Sequence, residues 1–525
     1  MSHVTSKRWS IALALITSLC LPMAAWAQDS EPAPRPEGQR SQRPQGGPPA
    51  AAQSQPVAPG SGPQQGLRPL PADVTTHHAL VLPGRTLNFS ATAGTVRLFD
   101  ANSGTPTVDI AVISYKLDGG DTAARPVTFV FNGGPGYASG WLHLGALGPW
   151  RLPMDGADAF PSAPPVLTEN PDTWLDFTDL VFIDPPGTGY GRILAGEDAR
   201  KTFFSVGGDV NVLAVTIRRW SEANSRQASP KYILGESYGG FRAPKIAHAL
   251  QTDQGVGVNG LFLISPVLDF QSFNAASSPL GLVARLPSMA ATTRERKGAV
   301  TRAAMQDVET YAKGEFLADL LRGVNDKAAI ERLTNRVSAL TGLETATVRR
   351  VGGRVPVGLF AREINRDNAR VSSLYDGNVT GLDPDPFSAR SEADDQLRIG
   401  LHAPIIQSMV DLYRTKLNWV VENGRYQFIN EQAGRQWDYG RNAEAVRDLR
   451  SALALDPKMR VLIMQGLTDL VTPYFQTQMV IDQIPDFGSP DRLRMNVYPG
   501  GHMLYARDES RRAMREDGRR MIEAR

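Results

Sequence analysis

Apolar and polar residues alternate along this chain in two distinct ways. Between about residues 78 and 117, segments rich in Val, Ile, Phe and Tyr alternate with Gly- and Asn-containing turns, which is typical of antiparallel strands. Further along, the apolar residues form short and almost wholly apolar runs, which favour strands covered on both faces, as in a parallel sheet. These runs predict strands at 127–131, 180–183, 232–234, 261–264, 461–464 and 495–498.

Amphipathic stretches between these runs, such as 210–222 and 474–484, complete an alternation of strands and helices. Residues 271 to about 455 interrupt that alternation with Ala, Arg, Leu and Glu at helical spacing. The pattern predicts an α/β fold with a mostly parallel central sheet, N-terminal antiparallel strands and a mainly helical insertion. An insertion at this place is expected to cover the edge of the sheet and to shape a substrate pocket.

The first 72 residues differ in composition from the rest of the chain. Lys7 and Arg8 precede an apolar stretch at 11–23, and Ala25-Trp-Ala27 is a small-x-small cleavage site. These features predict a secretory signal peptide at 1–27, because the apolar stretch is shorter than the ~20 residues that a membrane span needs. Residues 28–72 are rich in Pro, Gly and Gln and predict a disordered linker, which leaves 73–525 as the catalytic domain.

Composition excludes several classes of function. The net charge of +2 is too near zero to indicate a nucleic-acid partner, and the arginines are scattered along the chain. Cys20 is the only cysteine and lies inside the predicted signal peptide, so the mature chain has neither disulfides nor thiolate chemistry. We find no metal-ligand spacing and no phosphate loop, and therefore expect no cofactor. The oligomeric state is left open.

The most informative motif is Gly235-Glu-Ser-Tyr-Gly239, which has the form G-x-S-x-G. In a nucleophile elbow of this kind, a strand turns sharply into a helix and exposes the serine hydroxyl. The predicted strand at 232–234 precedes the motif, and a helical stretch at 241–250 follows it. Five residues alone occur often by chance, so Ser237 needs partners elsewhere in the chain.

A serine nucleophile needs a histidine base, and in α/β-hydrolases the chain order is Ser, then Asp or Glu, then His. Three histidines follow Ser237. His248 lies on the helix after the motif, and His402 lies inside the insertion without a loop signal. His502 lies in a Gly-rich loop directly after the predicted strand 495–498, which makes it the favoured base.

The carboxylate that orients the base is predicted to be Asp469, in the turn after the predicted strand 461–464. The alternative is an aspartate that only caps the helix beginning near Tyr474. An acyl transfer also needs two backbone donors for the oxyanion. We predict the amides of Tyr238 and Gly134, the latter in Asn132-Gly-Gly-Pro-Gly after a predicted strand; the alternative for that loop is an ordinary tight turn.

Four separated blocks resemble the serine carboxypeptidases, secreted α/β-hydrolases that remove C-terminal amino acids. The blocks are Asn132-Gly-Gly-Pro-Gly with Leu147-Gly-Pro, Asp184-Pro-Pro-Gly-Thr-Gly, Gly235-Glu-Ser-Tyr-Gly-Gly, and Gly466 to Pro473 with Gly501-His-Met. The resemblance implies an α/β-hydrolase fold and a peptide substrate with a free C-terminus. It also implies that Asn132, Gly133 and Glu236 bind the substrate carboxylate. A glutamate in that role must be protonated, so acidic pH is expected to favour peptidase activity.

The chain departs from the family pattern at four positions. Val130 replaces a tryptophan, Tyr137 a cysteine, Ala146 a second glutamate that pairs with the first, and Leu467 an aspartate. These departures indicate a divergent branch, and the export signal with the lack of cysteines favours a bacterial one. We expect a secreted or periplasmic serine carboxypeptidase. The alternatives are an esterase or acyltransferase on the same triad, and a catalytically silent binding protein.

Overall fold

The computed structural model describes residues 70–154, 160–273, 278–388, 392–441 and 443–524. The predicted signal peptide and the predicted linker up to residue 69 lie outside the described residues. None of the described helices combines the length and the apolar character that crossing a membrane requires.

The central element is a ten-stranded sheet with the order β1-β2-β3-β7-β4-β9-β10-β13-β14, in which β8 also pairs with β3. Neighbours are antiparallel from β1 to β7 and parallel from β7 through β4 to β14. The strands are β1 Val74–Leu82, β2 Arg85–Phe99, β3 Pro106–Leu117, β4 Val127–Phe131, β5 Trp150–Arg151, β6 Thr168–Glu169, β7 Asp179–Ile183, β8 Arg192–Ile193, β9 Lys231–Glu236, β10 Gly260–Ile264, β11 Arg370–Ser372, β12 Thr380–Leu382, β13 Arg460–Gly466 and β14 Leu493–Tyr498.

Burial along the strands explains the two sequence patterns. Every residue of β4, β7, β9 and β10 is buried, because helices cover both faces of the parallel part of the sheet. Exposed and less exposed positions alternate along β1 at the antiparallel edge. The predicted fold class, an α/β-hydrolase fold with antiparallel N-terminal strands and a mostly parallel sheet, is confirmed.

Helices flank the sheet and form most of the segment between β10 and β13. They are α1 Gly140–Leu142, α2 Glu197–Phe203, α3 Val206–Ala223, α4 Tyr238–Thr252, α5 Pro279–Glu295, α6 Gln306–Tyr311, α7 Leu317–Leu321, α8 Lys327–Thr341, α9 Thr345–Arg350, α10 Val357–Glu363, α11 Gln396–Gly400, α12 His402–Asp411, α13 Glu431–Gln436, α14 Val446–Leu455, α15 Tyr474–Ile481 and α16 Asp508–Glu523.

The helices between β10 and β13 have an apolar core of their own. That core includes Leu286 of α5 and Phe360 of α10, and it continues into Leu467 and Leu470, which flank the predicted carboxylate Asp469. Helix α14 instead packs on α4, where Lys245 donates to the Asp448 carboxylate at 2.6 Å. The insertion is thus packed directly against one of the loops that carry the candidate chemistry. Its boundaries at about 271 and 455 stay a prediction.

Candidate active site

Ser237 occupies a sharp turn between the end of β9 and the start of α4. Its backbone has φ +60° and ψ −121°, a conformation that costs a non-glycine residue about 1–3 kcal/mol. The Ser237 amide donates to the Ile264 carbonyl at 2.9 Å, which ties the turn to the neighbouring strand. A Cβ at Gly235 would lie 2.0 Å from the Gly239 carbonyl oxygen. The turn therefore requires glycine at this position, as a nucleophile elbow does.

His502 and Asp469 lie together at the carboxyl ends of β14 and β13. The Nδ1 atom of His502 is 2.9 Å from Oδ2 of Asp469, and both side chains are buried. The amides of Val471 and Thr472 donate to the other oxygen, Oδ1, at 2.8 and 2.9 Å. The Thr472 hydroxyl lies 2.7 Å from Asp469 Oδ2 and 3.0 Å from His502 Nδ1. Asp469 is thus held by two backbone donors, so that its second oxygen faces the histidine.

The backbone of His502 is anchored from two sides. Its carbonyl accepts from the Ser265 hydroxyl at 2.8 Å, and its amide donates to the Tyr375 carbonyl at 2.5 Å. Tyr375 belongs to the turn between β11 and β12, inside the helical segment. Nearby, Arg507 donates to Glu295 at 2.7 Å and to Asp376 at 2.9 Å. The helical segment is therefore joined to the histidine loop by hydrogen bonds as well as by apolar packing.

Charge governs the ionisation of this histidine. Burial lowers the pKa of His502, but the neighbouring Asp469 and Glu236 carboxylates outweigh burial and raise the pKa above its ordinary value. A base must be neutral to accept a proton from a hydroxyl. We therefore expect kcat to fall on the acid side as His502 becomes protonated, whereas the acid preference expected from a protonated Glu236 concerns substrate binding and hence KM.

The predicted oxyanion donors come from two loops that lie close together. A Cβ at Gly133 would lie 2.5 Å from the Tyr238 nitrogen, so only glycine permits this approach of the two backbones. Gly134, the next residue, has φ +105° and turns the loop. The amide of Tyr238 opens α4, where the dipole of the helix also favours negative charge. The arrangement supports the predicted roles of Gly134 and Tyr238, which remain predictions.

Ser237 and His502 share one small cavity of about 40 Å³. The cavity is also lined by the three residues predicted to bind a carboxylate, namely Asn132, Gly133 and Glu236, and by a largely aromatic wall formed by Tyr137, Trp141, Tyr375 and Met503. This wall offers an apolar surface to a substrate side chain.

Glu236 and Asn132 form a buried pair beside the serine. The Asn132 Nδ2 atom donates to Oε2 of Glu236, and Oδ1 of Asn132 accepts from the Leu142 amide at 3.0 Å. Burial raises the pKa of Glu236 to about 7, against the opposing effects of His502 and of two hydrogen-bond donors. Glu236 is thus protonated in acid solution and loses its proton around neutral pH, and a protonated carboxyl can donate to an incoming carboxylate.

The two histidines that were set aside lie elsewhere. His248 Nδ1 is 3.2 Å from the Asp448 carboxylate, on the side of α4 that faces α14. The ring of His402 stacks on Phe428 with 5.7 Å between centroids. Within the described ranges, no group of three or more His, Cys, Asp or Glu is arranged to hold a metal ion.

Comparison with known proteins identifies the segment that carries most of this geometry. Residues 116–336 match the family model described as serine carboxypeptidase. The match covers 221 of the 525 residues, and over this segment the chain is similar to the serine carboxypeptidases. The matched residues include the Asn132 loop and the elbow, whereas Asp469 and His502 lie beyond them. The bacterial branch stays a prediction.

Curated relatives match this chain only in part. The pheromone-processing carboxypeptidase KEX1 of Metarhizium robertsii is 31% identical over 28% of this chain and 22% of its own length. Serine carboxypeptidase-like 36 of Arabidopsis thaliana is 26% identical over 27% of this chain and 29% of its own length. This chain spans less than a third of the length of the curated relatives it matches.

Among solved structures, the fold extends further than the sequence match. The crystal structure of KEX1(DELTA)P, a prohormone-processing carboxypeptidase from Saccharomyces cerevisiae, superposes with a TM-score of 0.52. The match covers 83% of this chain and 90% of that chain at 15% identity. At this identity the likeness shows the fold alone.

Three residues at the site were not found from the sequence. Thr472 lies three positions after Asp469, and an Asp followed by a hydroxyl residue at this spacing is a turn signal that points to it. Tyr375 and Tyr505 carry no such signal. Tyr375 contacts His502 from the helical segment, with 5.2 Å between ring centroids, and Tyr505 donates to Glu236.

Proposed function

We propose that this protein is a serine carboxypeptidase that releases C-terminal amino acids from peptides through an acyl-enzyme. Ser237 Oγ attacks the last peptide carbonyl while His502 takes the hydroxyl proton. The C–N bond then breaks, and His502 gives that proton to the leaving amine. Water then attacks the ester carbonyl while His502 takes a proton from it, and the bond to Ser237 Oγ breaks as His502 returns that proton to the serine. The shortened peptide leaves with a new carboxyl group. The amides of Gly134 and Tyr238 donate hydrogen bonds to the oxyanion during both acylation and deacylation.

The observation that carries this proposal is the position of Glu236 and Asn132. Both line the same cavity as Ser237 and His502, and the glutamate precedes the nucleophile directly in the chain. A terminal carboxylate bound by this pair places the last peptide bond next to the serine. A hydrogen bond from a protonated glutamate to a carboxylate is charge-assisted and therefore strong. An enzyme for simple esters has no need of such a pair.

The decisive experiment is mass spectrometry of a peptide library during incubation with the purified protein. We expect residues to leave one at a time from the C-terminus, with apolar and aromatic termini leaving first, because Tyr137, Trp141 and Tyr375 line the cavity. We also propose export, since residues 1–27 have signal-peptide features, and the exported protein should have the intact mass of a chain beginning at Gln28. Ester hydrolysis without peptide shortening would instead favour the esterase reading.

Glu236→Gln should remove the pH dependence of carboxylate recognition. In the unmodified protein, the KM for peptides with a free C-terminus should rise by about tenfold per pH unit above about pH 7, because ionised Glu236 repels the substrate carboxylate. A glutamine amide donates at every pH, so its KM should stay flat over the same range. Steady-state kinetics from pH 5 to pH 9 measures both curves.

C-terminally amidated peptides provide the matched control for this experiment. They carry no terminal charge, so their KM should lack the alkaline rise even in the unmodified protein. If free and amidated peptides show the same pH profile before any substitution is made, Glu236 does not bind the substrate carboxylate.

A further inference from the structure

Tyr505 makes a contact with the carboxylate-binding pair that the catalytic scheme leaves unexplained. Its phenol oxygen lies 2.9 Å from Oε1 and 3.0 Å from Oε2 of Glu236. The side chain is fully buried and belongs to the short 3₁₀ helix Leu504–Ala506, directly after the catalytic histidine loop. One phenol hydrogen thus serves both oxygens of Glu236, and Asn132 donates to Oε2 from another loop.

The ring of Tyr505 also packs against Gly145, the residue before Ala146. A Cβ at Gly145 would lie 2.7 Å from Cε2 of Tyr505, so the ring packs directly on this part of the chain. The next residue is Ala146, which is buried and has no side-chain donor. Glu236 therefore has a phenol as a hydrogen-bonding neighbour, whereas Ala146, where the family resemblance implies a second glutamate, offers it no side-chain donor.

We propose that Tyr505 is the positioning residue that takes over the part of this second acid, and that its hydroxyl sets the pH above which the site stops binding a free C-terminal carboxylate. The proposal rests on the proposed carboxypeptidase function. It adds a residue that holds Glu236 in one orientation and biases its charge, without touching the reacting atoms itself.

The chemistry of a phenol differs from that of an acid in this position. Two neighbouring carboxyl groups share a proton and repel each other when both ionise, so the pair loses its second proton at a raised pKa. Burial and Glu236 raise the pKa of Tyr505 well above its usual range, so its hydroxyl keeps its proton throughout the working pH range. It therefore always donates, and a permanent donor favours the ionised form of Glu236.

The other groups that act on Glu236 come from three loops. His502, after β14, lowers the pKa of Glu236, and Asp469, after β13, raises it. Asn132, after β4, lowers it by donating a hydrogen bond, as Tyr505 does. Among the described residues, Tyr505 is thus one of two neutral donors to Glu236, and substituting its hydroxyl leaves both neighbouring charges in place.

Tyr505→Phe tests the proposal, because it removes the hydroxyl and keeps the ring. Without this donor, ionised Glu236 is less stable, so the alkaline rise in KM for free-carboxylate peptides should move up by about one pH unit. The KM below this rise should increase several-fold because Glu236 is less well oriented, and amidated peptides should show neither effect. Tyr498→Phe is the matched control, since Tyr498 donates to Asp517 at 2.5 Å outside the site.

A second measurement reads Glu236 without any substrate. Infrared difference spectra between each protein and its Glu236→Gln derivative follow the protonated carboxyl stretch as the pH is changed. The midpoint should be about one pH unit higher in Tyr505→Phe than in the parent or in Tyr498→Phe. An unchanged or lower midpoint overturns the role of Tyr505, whether or not peptides are shortened. The carboxypeptidase proposal is overturned instead if Glu236 of the parent protein titrates as expected but the parent protein does not distinguish free from amidated peptides.

Discussion

Ser237→Ala is expected to lower kcat for peptide hydrolysis by on the order of 10⁶-fold, because no acyl-enzyme can form. The substitution keeps Cβ, and therefore keeps the constraints on the turn at φ +60°. The fold should therefore be retained, so the loss of kcat can be assigned to the missing nucleophile. Residual turnover above the uncatalysed rate comes from the oxyanion donors and from substrate binding.

Two measurements check this expectation. Active-site titration with a fluorophosphonate should label the parent protein and leave Ser237→Ala unlabelled. Ser221→Ala is a suitable control, because it also removes a buried hydroxyl, one that donates to the Ile217 carbonyl within α3, and it should retain both labelling and activity. A Ser237→Ala protein that still shortens peptides at the parent rate would remove Ser237 from the mechanism. A parent protein that is not labelled would favour the silent binding protein.

Asp469→Asn should lower kcat by on the order of 10⁴-fold, and the geometry of the loop gives the reason. Two backbone amides, those of Val471 and Thr472, donate to Oδ1 of Asp469. In the variant, the amide oxygen of asparagine must take that place, so its NH₂ group faces Nδ1 of His502. A donor at this position forces the histidine proton onto Nε2, and the ring can no longer accept a proton from Ser237.

The measurement is single-turnover kinetics, together with proton NMR of the His502 ring to identify the tautomer. Thr472→Val is the companion variant, since it removes the hydroxyl near Nδ1 and keeps the carboxylate, and we expect a much smaller loss. Retention of more than about a tenth of the parent kcat in Asp469→Asn would contradict the assignment of Asp469 as the orienting carboxylate.

Local patterns predicted the longer strands of the sheet, but neither the two-residue strand β8 nor the arrangement of the strands. The predicted strand at 127–131 coincides with β4, because a strand buried on both faces needs an unbroken apolar run. The placement of β4 between β7 and β9 depends on pairing between distant segments, which periodicity along the chain does not encode. The elbow could be predicted because the sharp turn at Ser237 leaves no room for a Cβ at Gly235, so the local sequence must contain glycine there.

The environment of Glu236 shows where prediction from sequence ends. The sequence shows that Ala146 stands where the family resemblance implies a second glutamate, which indicates weaker carboxylate recognition. The sequence does not show that Tyr505 contacts Glu236, because the two residues are separated by 269 positions. An isolated tyrosine near the end of a chain is most often part of a core. Only the fold shows which carboxylate its hydroxyl meets.

The hydrogen bond from the His502 amide to the Tyr375 carbonyl has a consequence for engineering. In this protein the helical segment holds the backbone of His502, the predicted general base, and Arg507 joins the same loop to Glu295 and Asp376. A transplanted segment would therefore have to reproduce these hydrogen bonds, because exchanging it also changes the support of the histidine loop.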